Sequence, residues 1–344
     1  MGEYDRIFAG LAEMTGFKVL APPKMTRRTL ELGSLHSPET ACVPFKFNLG
    51  NYIEALEAGA DTLITSAGGC RFDYYFECHK QILNDLGYEA HFIKASLSTL
   101  YPCLKEINPG LTRTAFWYAF MLHMKKLSLM DYVQDAIRKR IGFEKKEGEF
   151  DKLWERFLDE LMGKSSFTGI WRLGKRIRKE IGAVEVELPE RPLRVGIVGE
   201  LYLLMEPFSN FEVERTLGRM GVEVHRWVNL SSIFHHKISS AHCARHFQKM
   251  AKPYVRYHLG AHGTESAGRL NWMIKSGFDG AIHLKPFACM PEINAMPAMY
   301  RMSRDSRFPL TCFSFDSHTS ESGVKTRLEA FYDMISHRRE GALA

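Results

Sequence analysis

The feature that most constrains this chain is a repeated order of short apolar strand, glycine and helix, found in two blocks with a long strand-free stretch between them. In the first block Asp61–Thr62–Leu63–Ile64–Thr65 reads as a buried strand closed by Gly68–Gly69–Cys70. A helix follows from about Asp73 to Leu86, Gly87 ends it, and Glu89 to Ala95 gives a further strand. Before these, Phe17–Lys18–Val19–Leu20 is a short strand candidate stopped by Pro22–Pro23. A helix is expected after Pro44, with Tyr52, Ile53 and Leu56 at helical spacing and Gly59 at its end. The second block opens with the apolar strand Leu193 to Gly199. It continues with a helix from Asn210 to Met220, strand Val222 to Trp227 and a helix from about Thr264 to Lys275. Strand Gly280 to Leu284, strand Leu310 to Phe315 and a last helix from Gly323 to Ile335 complete it.

Such alternation builds parallel sheets with helices on their faces. The expected fold class is α/β, with two doubly wound parallel-sheet lobes, residues 1–111 and 191–344. Between them lies a helical insertion and linker, residues 112–190. From about Thr112 to Ile181 apolar residues recur at helical intervals (Phe116, Phe120, Met124, Leu127), and Glu185 to Pro192, with two prolines, reads as the linker.

The two blocks echo each other. Glu57 to Asp61 and Lys275 to Asp279 each place a glycine before a buried strand, and a cysteine follows each strand, Cys70 and Cys289. Open α/β sheets bind ligands at that edge.

At 344 residues, 45% hydrophobic and 25% charged, the chain has room for two cores and the balance of a folded, water-soluble protein. A net charge of +6, with basic residues concentrated between Lys125 and Lys179, favours an acidic partner or an anionic substrate. No nucleic-acid module accompanies it, so no nucleic-acid role is expected. No apolar run reaches the ~20 residues of a membrane span. Met1 to Met14 lacks the order of a secretory signal, so the expected location is the cytoplasm, with no membrane contact. In a reducing compartment seven irregularly spaced cysteines are not a disulfide framework, which leaves spare buried thiols, metal ligands and catalytic thiols.

Cys42, in Ala41–Cys42–Val43–Pro44, Cys70, in Gly69–Cys70–Arg71, and Cys289, in Ala288–Cys289–Met290–Pro291, each precede a helix. A helix N-terminus favours the thiolate, the metal-binding form. Three thiolates so placed suit an iron–sulfur cluster. A zinc site and buried structural cysteines are the other readings of the same residues. Cys78 lies eight residues after Cys70 on the same helix. Cys312, inside a strand, reads as a small buried hydrophobe. Lys46 and Arg71 flank two of the thiols and would offset cluster charge or contact an anionic substrate. Further polar groups cluster at strand ends: Gly199–Glu200, then His262 and Glu265, then His318 and Glu321. Their plain role is helix capping; their functional role is proton donation, with His262, Glu265, His318 and Glu321 as the candidate catalytic residues. Neither G-x-x-x-x-G-K-[ST] nor a strand followed by G-x-G-x-x-G occurs, so ATP and dinucleotide binding by this chain are not expected.

Several strings together resemble the 2-hydroxyacyl-CoA dehydratase (D-component-like) superfamily, and within it the branch labelled CoA-protein activase or dehydratase-activase-related protein. They are Cys42–Val43–Pro44–Phe45–Lys46, Gly69–Cys70–Arg71, Gly199–Glu200–Leu201–Tyr202 with Glu206–Pro207–Phe208–Ser209–Asn210, Gly263–Thr264–Glu265–Ser266, Pro286 to Glu292, and His318 to Phe331. The likeness spans residues 17–95 and 193–335 in family order; the helical middle carries no family motif. The resemblance implies flavodoxin-like lobes and a [4Fe–4S] cluster held by Cys42, Cys70 and Cys289. Related members carry a double-cubane [8Fe–9S] cluster, for which Cys78 is the candidate extra ligand. It also implies a separate ATP-dependent activator, an iron–sulfur ATPase, that supplies low-potential electrons. A homodimer, or a heterodimer with a related subunit, and an acyl-CoA or other small anionic substrate complete the picture. Under this reading the chain is a dehydratase-type lyase or an ATP-coupled iron–sulfur reductase; the alternative is a non-catalytic cluster carrier or scaffold for the activator.

Overall fold

The computed structural model describes residues 2–66, 72–96, 98–239 and 242–341. The chain is a mixed α/β protein, mostly helical, whose sheets are parallel. It divides into two compact units, Met1–Met124 and Lys125–Ala344, with the division inside a long helix.

The first unit holds α1 (Tyr4–Met14), α2 (Arg27–His36), α3 (Val43–Glu57), β1 (Thr62–Ser66), α4 (Phe72–Asp85), β2 (His91–Ala95), α5 (Leu100–Ile107) and the start of α6 (Arg113–Arg138). β1 and β2 pair in parallel, Ile64 opposite Ile93. Thr26 caps α2 by accepting from the Thr29 N–H at 3.3 Å, and Thr29 Oγ1 accepts from the Thr26 N–H at 3.0 Å, which closes a reciprocal capping box. α1, α5 and α6 bury Leu11, Leu104, Phe116 and Phe120 in one apolar cluster. The strand expected at Phe17–Leu20 is absent. That segment is irregular and half-buried to exposed throughout, and no neighbouring strand satisfies its backbone.

The second unit contains the rest of α6, then α7 (Glu149–Met162), α8 (Phe167–Ala183), β3 (Leu193–Gly199), α9 (Leu201–Met205), α10 (Val213–Arg219) and β4 (Val222–Arg226). It continues with α11 (Leu230–Ser239), α12 (His242–Ala251), α13 (Gly263–Lys275), β5 (Gly280–Pro286), α14 (Met290–Ser306), β6 (Leu310–Phe315) and α15 (Glu321–Gly341). Its four strands are all parallel, in the order β4-β3-β5-β6. The chain moves outward from β3 to β4, then returns past β3 to β5. The order therefore reverses between β3 and β5, and their C-terminal ends flank the crevice that such a reversal opens. β5 is buried along its whole length, charged residues included. Met273, Ala281, Ala295 and Met299 fill the core where α13 and α14 meet the sheet. The echo between the blocks has a backbone basis: Gly59 after α3 and Gly277 after α13 both take positive φ, +98° and +69°, where a side chain would be strained.

Candidate functional site

The reversal point of the larger sheet carries a group of partly buried to buried titratable residues. Glu200 follows β3 and caps α9, its carboxylate accepting from the N–H groups of Tyr202 at 3.0 Å and Leu203 at 3.1 Å. Burial pushes this carboxyl up to about 7, aided by the nearby charge of Glu292 and opposed by the two backbone hydrogen bonds and by His262.

His262 precedes α13 and Glu265 lies in its first turn, with His262 Nδ1 3.8 Å from Glu265 Oε2. Burial by itself lowers the His262 pKa; the charges of Glu265, Glu292 and Glu200 outweigh it and raise it. Glu265 is held at about 2: burial opposes ionisation, and His262 with Arg269, 3.3 Å away, overcomes it. The neighbouring motif residues are structural as well as polar. Thr264 Oγ1 accepts from the Leu259 N–H at 2.8 Å, and Ser266 Oγ donates to Glu292 at 3.2 Å. Gly263 touches the loop that carries Cys289. A methyl group built on it would lie 2.3 Å from the Pro291 carbonyl oxygen, so only glycine allows the two segments to meet.

Beneath this edge, His283 in β5 and Glu292 in α14 form a pair shut off from solvent, Nε2 to Oε2 2.7 Å. Burial opposes the charged imidazole, but Cys312 and Glu292 outweigh it and raise its pKa to about 9. Cys312 stands directly opposite His283 in the β5–β6 register. Burial lowers the pKa of Lys285, two residues on, against the pull of Cys289, Cys312 and Glu292.

Among the sequence candidates, Cys42 is buried at the N-cap of α3, and Cys289 is half-buried at the N-cap of α14. Each has an extended backbone, no side-chain capping bond and a proline in the helix's first turn. Cys78 lies on α4, half-buried. Cys70 and Arg71 fall outside the described residues. Lys46 is buried on α3 rather than solvated. His318 and Glu321 are exposed after β6 and at the start of α15. There the capping role is filled by Ser320, whose Oγ accepts from the Gly323 N–H at 3.3 Å, while Asp316 organises the loop. So His262 and Glu265 join one cluster, with Glu200, Arg269 and Glu292 added to it. The His283–Glu292 pair gave no local sequence signal, because it joins a strand to a helix nine residues on.

None of Cys42, Cys78, Cys103, Cys289 and Cys312 forms a disulfide. Among the described residues no three or more His, Cys, Asp or Glu side chains gather as a metal-binding group, and no helix is long and apolar enough to cross a membrane. No family model matches the chain, and no curated protein matches it.

Proposed function

We propose that this chain is an iron–sulfur protein of the 2-hydroxyacyl-CoA dehydratase type, with Cys42, Cys70 and Cys289 as the ligands of a [4Fe–4S] cluster. It receives low-potential electrons from a separate ATP-dependent activator and works on a small anionic substrate such as an acyl-CoA. The observation that carries this reading is the shared build of Cys42 and Cys289. Two cysteines far apart in sequence occupy the N-caps of long helices, each followed two residues later by proline. A helix start offers backbone N–H groups and positive potential, which suit a thiolate bound to an anionic cluster. The sheet order of the second unit supports a flavodoxin-like, doubly wound lobe, because counted within the unit it runs 2-1-3-4 with the ligand crevice beside its first strand.

When bound, the cluster supplies the electron for a reduction or a radical-type dehydration. The residues at the sheet edge then bind and move protons. Glu200, titrating near neutrality, holds a proton at its carboxyl, and His262 carries positive charge toward an anion. Glu265, itself paired with Arg269, sets a negative charge 3.8 Å from His262.

The test is anaerobic purification with iron and sulfide counting, absorption and EPR spectra. Bound iron and sulfide with a broad visible band, lost in Cys42→Ser and in Cys289→Ser, are expected. Protein without metal, or zinc without a visible band, overturns the reading. Turnover with the activator and acyl-CoA candidates separates an enzyme from an electron carrier.

A further inference from the structure

Cys312 is not among the proposed cluster ligands, and its surroundings are those of a reactive thiol. It sits in the middle of β6 and is partly exposed. In the parallel register it faces His283 across the sheet, so both side chains leave on the same side. His283 has no solvent exposure. Its Nε2 is engaged by Glu292 at 2.7 Å, while its Nδ1 is buried without a hydrogen-bond partner among the described residues. Glu292 is itself oriented by the Ser266 hydroxyl at 3.2 Å. One imidazole nitrogen is thus fixed by a carboxylate, and the other is unpaired in the interior on the sheet face that Cys312 shares.

We propose that Cys312 is a nucleophilic thiol, with His283 as its base and Glu292 as the positioning residue, and that it takes a small carbon electrophile. The arrangement has the parts such a site needs: a nucleophile, an adjacent base, and a third group that holds the base. The groups facing the Cys312 side chain are His283 and Lys285 from β5 and Tyr300 from α14, while Arg327 from α15 donates through Nη2 to the Cys312 backbone carbonyl at 2.7 Å. His283 and Lys285 are cationic when protonated, and both lie on the sheet face that Cys312 shares. With iodoacetamide as the electrophile the step balances simply. The sulfur of Cys312 forms a bond to the methylene carbon, the carbon–iodine bond breaks, iodide leaves, and the thiol proton rests on Nδ1 of His283.

The experiment follows alkylation of the full-length protein by iodoacetamide between pH 6 and 9, with Cys312 read separately by peptide mass spectrometry. N-acetylcysteine is the reference, its rate climbing more than tenfold across this range as an ordinary thiol ionises. The shape of the profile decides, because limited access scales every point alike. A Cys312 rate that changes less than about threefold from pH 6.5 to 9 is expected; a climb parallel to the reference overturns the proposal. Glu292→Gln, checked for folding by circular dichroism, is expected to restore a steep profile. A folded Glu292→Gln whose profile stays flat removes the positioning role. If that variant does not fold, the wild-type profile still decides. Cluster content is counted on the same samples, so a failure here is separate from a failure of the iron–sulfur reading.

Discussion

The imidazole of His283 and the carboxylate of Glu292 meet at 2.7 Å with neither side chain reaching water. An ionised pair in such a place persists because each charge stabilises the other, and removing one partner leaves an uncompensated charge in the interior. Glu292→Gln is therefore expected to destabilise the protein by about 3 kcal/mol. It also removes a negative charge from beside the ring. In the wild type the imidazole keeps its proton up to about pH 9. In the variant its titration moves to lower pH, which nitrogen NMR of the histidine ring reads directly; an unmoved titration would mean that Glu292 does not hold the proton.

What the sequence made legible was local, and what it hid was long-range. The strand Leu193 to Gly199 is found at its expected bounds because an apolar run with a terminal glycine carries its own start and stop. The expected strand at Gly280 to Leu284 runs on to Pro286, since Lys285 looks like a surface residue and only the packed sheet reveals that it is covered. Phe17 to Leu20 had strand composition but found no strand to pair with. At the site, His262 and Glu265 are legible because they belong to a run of polar residues, His262 to Ser266, that opens a helix. Glu292 closes the string Pro286 to Glu292 without a role of its own, and its meeting with His283 and Ser266 depends on α13, β5 and α14 packing together. Cys312 read as a small buried hydrophobe, yet it is partly exposed and lies opposite a histidine.

Glu200 gives a pH dependence of stability with a definite sign. Its pKa rises from 4.5 to about 7 on folding, so the native state holds a proton that the unfolded chain has lost within that window. Stability is expected to fall as pH rises from 4.5 through 7, by up to roughly 3 kcal/mol. Glu200→Gln removes the titration and weakens the cap of α9, at a cost of about 1 kcal/mol. Urea denaturation at pH 5 and pH 8 should show the gap between wild type and variant closing or reversing at the higher pH. A constant gap would mean that Glu200 is not titrating there.

His79 works in the opposite direction. It is buried on α4, stacked on Phe45 at 3.9 Å between ring centroids, with Nε2 3.0 Å from the Phe45 carbonyl oxygen. Burial drives its pKa down to about 4, against the raising effect of that hydrogen bond. The folded state therefore requires neutral imidazole. Stability from this group is present above pH 6.5 and lost as pH falls through the window to 4, by roughly 3 kcal/mol. His79→Gln is expected to lower stability by about 1 kcal/mol at pH 7 through the lost stacking and to flatten the acid limb. Thermal melts at pH 7, 5.5 and 4.5 test this; equal acid sensitivity in both proteins would count against it.

Gly263 sets the distance between the His262 loop and the Cys289 loop. A methyl group there would lie 2.3 Å from the Pro291 oxygen, and the obstacle is backbone, which cannot swing aside as a side-chain tip can. Gly263→Ala is expected to cost about 1–3 kcal/mol as an overpacked contact. The strain has two outlets: either the start of α13 shifts, carrying His262, or the start of α14 shifts, carrying Cys289. Both disturb the same edge of the sheet. The matched control is Gly182→Ala near the end of α8, where nothing lies within 4 Å and φ is unexceptional. There the added methyl should stabilise by about 0.5–1 kcal/mol through helix propensity alone. Comparing the two by urea denaturation separates a general glycine effect from this contact. Equal stability in the two variants would mean that the loops part without cost.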